Sequence, residues 1–101
     1  MIARVWQGST KPHDADRYES HYRSDVVASL RQVPGFRGAR LLRRMVGDET
    51  EFVSLTFFDD LDAIHRFAGG DHEVAVVDDH AHAMLVRFDE RVRHYEITVE
   101  T

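Results

Sequence analysis

Residues 36–58, FRGARLLRRMVGDETEFVSLTFF, decide the fold. Two runs rich in strand formers, 36–46 and 51–58, flank Gly47-Asp48-Glu49, so the segment reads as an antiparallel hairpin. In the second run Val53, Leu55 and Phe57 fall on one side, while Phe52 and Phe58 fall on the other with Ser54 and Thr56. A strand that is apolar on both sides needs cover on both.

Working outward, residues 2–8 form another strand, with Val5 and Trp6 as strand formers and Gly8 closing it. Alternation puts Ala3, Val5 and Gln7 on one face and Ile2 and Trp6 on the other. Pro12 opens a helix after Thr10-Lys11, and Asp14 and Asp16 suit its first turn. Ala15, Tyr18, Tyr22, Val26, Leu30 and Val33 recur every three or four residues along one face, up to the stop at Val33-Pro34-Gly35. Asp59 or Asp60 caps a second helix with Leu61, Ile64, Phe67 and Ala68 on one face, broken by Gly69-Gly70. Two short helical pieces follow, the second capped by Asp78 or Asp79, and residues 91–99 make the last strand.

The order β-α-β-β-α-β predicts one α+β domain over residues 1–101. Its fold class is ferredoxin-like: a four-stranded antiparallel sheet with helices on one face. Helices cover one face only. A second copy of the same sheet is the simplest cover for the other, so the expected partner is the chain itself, as a homodimer pairing into an α/β barrel.

Composition removes several functions. The 101 residues contain no cysteine, which excludes disulfides, thiolate nucleophiles and cysteine metal sites. A formal charge of −5 argues against nucleic acid and anionic membranes. Residues 1–8, MIARVWQG, lack the apolar region of a signal peptide, and no apolar run is long enough to span a bilayer, so a cytoplasmic location is expected.

Over residues 2–97 the sequence, in MIARVW, VPGFRGA, FAGGD and RVRHYEI, resembles the antibiotic biosynthesis monooxygenase family of dimeric α/β-barrel proteins. The resemblance implies two ferredoxin-like subunits, each with a pocket between helices and sheet that takes a small apolar or aromatic ligand. It also implies cofactor-independent monooxygenation of a hydroxylated, polyketide-like aromatic, so no cofactor is expected. The alternatives are a non-catalytic dimeric small-molecule binder and a haem-binding or haem-degrading protein. Ser54 and Phe58 stand where the family's quinone-forming oxygenases carry an asparagine and a tryptophan, and Ile64 stands where they carry a tyrosine. Gln7, Phe67 and Val77 match an asparagine, a tryptophan and the iron-ligating histidine of its haem-degrading branch.

The expected catalytic residues are therefore Gln7, as an amide at the pocket floor, and His94, as a base for a phenol. The expected substrate-binding residues are Ser54, Phe58, Ile64 and Phe67. Strand alternation sends His94 and Tyr95 to opposite faces without saying which one meets the pocket. Trp6, opposite Gln7, is expected in the intersubunit barrel. His65 falls on the second helix and faces either solvent or pocket. His72, His80 and His82 sit among Asp71, Glu73, Asp78 and Asp79, yet no metal-binding frame such as HExxH is present, so no metal is expected. Arg40, Arg43 and Arg44 read as partners of carboxylates near the sheet edge.

Overall fold

The computed structural model describes residues 1–101. Alternation governs the sheet. Along β3 (Glu49–Phe58), Phe52, Ser54, Thr56 and Phe58 are buried, while Val53, Leu55 and Phe57 are half-buried. Gly47, at φ +61°, makes the tight turn that joins β3 to β2 (Phe36–Val46). β3 pairs antiparallel with β2 on one side and with β1 (Ile2–Thr10) on the other, giving the order β2-β3-β1.

The expected fourth strand over residues 91–99 shortens to β5 (Arg93–Glu96), and an unexpected strand, β4 (Leu85–Phe88), precedes it, both antiparallel to β1. Between them the chain leaves β1 for residues 73–75. The Val92 N–H donates to the Glu73 carbonyl at 2.7 Å, and the Ala75 N–H donates to the Glu90 carbonyl at 2.9 Å. That detour turns Val92 into the core, 4% exposed.

The first helix begins at Pro12 as expected, but it is not uniform. α1 (Pro12–His21) runs through a π turn (Tyr22–Val26) into α2 (Val27–Arg31). Its apolar stripe steps by four three times in succession, and each such step drifts about 40° around a regular α-helix. The wide turn, marked by the Val27 N–H bonding the Tyr22 carbonyl, takes up the drift. α3 (Leu61–Ala68) is capped by Asp60, whose carboxylate accepts the Ala63 N–H at 2.9 Å. α4 (Asp79–Met84) is capped in the same way by Asp78. No helix is long and apolar enough to cross a membrane.

Packing lies on one side of the sheet, in two clusters. Trp6, Tyr18, Tyr22 and Phe52 anchor the larger, and Leu30, Phe58, Ala63 and Ile64 form the smaller. This corrects the reading of β1. Register places Trp6 opposite Ser54 and Gln7 opposite Val53, so Trp6 packs under the helices and Gln7 lies on the other face with Ala3 and Val5. Alternation had divided the strand correctly, but only pairing with β3 says which half is inside. On the far face Leu55, Phe57 and Val53 meet Val5, with Leu42 and Tyr95 about half exposed beside them. No element of the chain covers that face.

The indole of Trp6 fits only because residue 8 has no side chain. A Cβ there would stand 2.4 Å from Trp6 Cη2, and the ring is already stacked on Tyr18 at 6.2 Å. Gly8→Ala should therefore destabilise the protein by about 1–3 kcal/mol, the range for overpacking a core. Urea unfolding followed by the emission of Trp6, the single tryptophan, measures it; an unchanged midpoint would contradict this packing.

Candidate functional site

Arg4 sits in mid-β1 on the helix side and is 4% exposed. Its guanidinium donates to the carbonyl of His72, to the carbonyl of Val74 at 2.8 Å and to His94 Nε2 at 3.0 Å. It also lies over the Phe67 ring, 5.6 Å from the centroid. No carboxylate pairs with it. Burial lowers its pKa to about 10, so it still carries its charge at neutral pH. Of the five N–H donors of an arginine, three are engaged and two have no protein acceptor.

Arg4 lines a cavity of about 60 Å³ between helices and sheet. Trp6, Tyr18, Leu30, Phe67, Val77 and Val92 are among its hydrophobic lining, with Asp78 also in the wall. The Trp6 indole N–H is buried with no acceptor. Tyr22 and Ser54 share a 2.6 Å hydrogen bond between their hydroxyls. Burial raises the pKa of Tyr18, reinforced by Tyr22 and Asp78, and burial likewise raises that of Tyr22 against the opposing bond from Ser54. Both phenols therefore stay neutral. Burial opposes the charge on Asp78, but the Ala81 N–H and His21 outweigh it and hold the pKa below the ordinary value. The site is thus an apolar, aromatic chamber with one uncompensated cation and an unused N–H donor.

Its volume holds a few water molecules, whereas drug-sized ligands fill about 300–1,000 Å³. Val76, Val77 and Asp78 line the chamber from the irregular segment after α3. Arg4 holds that segment in place through the two carbonyls it binds.

The expected site residues divide. Ser54 and Phe67 line the cavity. Phe58 and Ile64 lie behind it, fully buried in the smaller core cluster, because β3 and α3 close on each other there. Gln7 is on the uncovered sheet face and does not reach the chamber. His94 pairs with Arg4 across β5 and β1 and shares its face, while Tyr95 is on the other, 54% exposed. The Nε2 lone pair of His94, expected to act as a base, accepts from Arg4. Burial first, then Arg4 and His72, push its pKa down from 6.5 to about 4. Val77 lines the wall as a hydrocarbon and supplies no iron ligand. His65 bonds the Gly69 carbonyl at 2.9 Å and packs against His72, away from the cavity lining. Of the strand-two arginines, Arg43 meets Asp16 and Glu19, and Arg44 meets Glu51. Arg4 was the missed residue, and its signal was a charge between Ile2 and Trp6 on the face that strand register turns inward.

The profile of the antibiotic biosynthesis monooxygenase family matches residues 1–79. Among solved structures the chain is similar to a variant of SnoaB, a cofactor-independent oxygenase from Streptomyces nogalater. Identity there is 18%, over 98% of this chain and 94% of that one, with a TM-score of 0.71. It is also similar to the haem degrader MhuD from Mycobacterium tuberculosis, at 19% identity over 100% and 99% of the two chains, with a TM-score of 0.66. At these identities the likeness is one of fold. No curated protein sequence matches the chain.

The low pKa of His94 makes stability depend on pH. The folded state binds this proton less readily than the unfolded chain, so the contribution of neutral His94 is complete above about pH 6.5. It is lost as pH falls from there toward about 4. His94→Gln, which keeps an acceptor for Arg4, should flatten that part of a Tm-against-pH curve. An identical acid limb in the variant would contradict the assignment.

Proposed function

The chain belongs to the antibiotic biosynthesis monooxygenase family, and from that premise we propose that its cavity binds a hydroxylated aromatic molecule as an anion and presents it to dioxygen without a cofactor. The observation that carries this reading is Arg4, a buried guanidinium with no carboxylate and two free N–H donors beneath aromatic walls. A phenolate or enolate oxygen supplies the charge that Arg4 lacks.

No strong base faces the ligand, since the His94 lone pair is engaged by Arg4 and the lowered pKa of Asp78 leaves its carboxylate a weak base. Deprotonation then follows from the cation: Arg4 lowers the pKa of the bound hydroxyl, and the proton leaves to water. The anion donates an electron to dioxygen, and a carbon–oxygen bond forms within the apolar chamber. For an anthrone the sum is CH₂ + O₂ → C=O + H₂O, which balances with no external reductant. Trp6 Nε1 is placed as a further donor to an oxygen of the ligand.

Oxygen uptake by metal-free protein against a panel of anthrones and hydroquinones tests the reaction. Arg4→Gln should lower kcat/KM by about 10²–10³-fold, the usual loss for an oxyanion donor, while Arg4→Lys retains part of the activity. Quenching of Trp6 reports binding separately. Quenching without uptake would replace the enzyme with a non-catalytic binder, and neither signal across the panel would count against the phenolate reading.

The uncovered apolar sheet face supports the second part of this proposal, a homodimer formed face to face. Light scattering at micromolar concentration should give twice the chain mass, and Leu55→Asp should halve it. A monomeric native protein would refute the pairing.

A further inference from the structure

At the rim of the chamber the fold brings together three side chains that lie far apart in sequence. His21 ends α1, Asp25 lies in the π turn and His80 is in the first turn of α4. One nitrogen or oxygen atom from each lies within 4.8 Å of the other two. The two imidazole rings are 4.5 Å apart, centroid to centroid. The His21 side chain is buried, whereas Asp25 and His80 are exposed, so the cluster is open to solvent on one side.

Two contacts define His21. Its Nε2–H donates to the Asp78 carboxylate, 2.8 Å from one oxygen and 3.0 Å from the other. Its Nδ1 is buried and has no hydrogen-bond partner, although Asp25 Oδ2 stands 3.1 Å away. A neutral imidazole that donates through Nε2 carries a lone pair on Nδ1. That lone pair faces the Asp25 carboxylate, 3.1 Å away with no hydrogen bond between them, and the His80 ring lies alongside. Acceptors converging in this way repel one another until a cation lies between them. Asp78, itself fixed by the Ala81 N–H at 2.7 Å, stands where an outer carboxylate orients a metal-binding histidine.

We propose that His21 Nδ1, Asp25 and His80 bind a divalent first-row transition metal ion, Zn(II) or its congeners Co(II) and Ni(II), with Asp78 as the outer carboxylate. Two imidazoles and one carboxylate suit these ions and leave a coordination position for water. Calcium and magnesium require a shell dominated by oxygen, which this set does not provide. Because Asp78 and Ala81 line the chamber, the ion ties α1 to the start of α4 along one wall. The proposal is independent of what the chamber binds.

Chelator-treated protein is titrated with Zn(II) by calorimetry and with Co(II) by visible absorption. The expected result is one ion per chain at micromolar affinity or tighter, with a Co(II) band characteristic of low coordination number. His80→Ala and Asp25→Asn, both at exposed positions, should each weaken binding by at least about 10-fold, and Asp78→Asn by about 10–100-fold. His13→Ala, on an exposed turn of α1, should change nothing. Absence of saturable binding overturns the site, as does binding unaffected by both His80→Ala and Asp25→Asn. Loss of binding in His72→Ala instead would place the ion among His65, His72 and His94, whose rings lie in a row 5.2 Å apart, and would equally overturn it.

Discussion

A guanidinium sealed under the sheet without a counter-ion is the constraint around which this molecule is arranged. A cation removed from water needs compensation wherever it is buried. Arg4 obtains it from neutral groups alone: two backbone carbonyls, one imidazole nitrogen and the face of an aromatic ring. Each of those groups comes from a different part of the chain. The carbonyls belong to the segment after α3, the imidazole to β5 and the ring to α3 itself. One side chain on the first strand thus sets the conformation of an irregular stretch, the tautomer of His94 and the placement of Phe67. The compensation is partial by design of the geometry, because the remaining donors point to no protein group.

Much of this architecture is legible from residue spacing. The hairpin follows from two strand-forming runs around Gly47, and the helix start follows from Pro12. The caps follow from aspartates placed just before apolar periodicity, at Asp60 and Asp78. Local chemistry decides each of these features. What was not legible depends on pairing between distant residues. Strand alternation divides Arg4 and Trp6 from Val5 and Gln7, but the inner half is selected by register with Ser54 and Thr56. The small apolar residues Ala3 and Val5 look like core, whereas the long side chains beside them are the ones that reach under the helices. The shortening of the last strand was hidden for the same reason, since the competing partner of residues 90–92 is a loop with no periodicity of its own.

The polar groups of the cavity lie elsewhere than the family resemblance implies. The family resemblance matches Ser54, Phe58 and Ile64 to polar and indole groups. Here Ser54 serves Tyr22, and the other two are core hydrocarbons. The groups able to hold an oxygen anion lie instead on the first strand, where Arg4 and Trp6 project from the same face of the sheet. The clustering of His21, Asp25 and His80 was likewise invisible in the chain, because helical spacing relates only the first two.

The interruption between β4 and β5 has a consequence for how such molecules can accumulate. An unbroken outer strand offers a continuous row of free backbone groups, on which strands from other chains can add without limit. After Asp89 the chain turns away to bond the segment at 73–75. The exposed ladder is therefore only a few residues long at a stretch. Open-ended strand addition is blocked along that border.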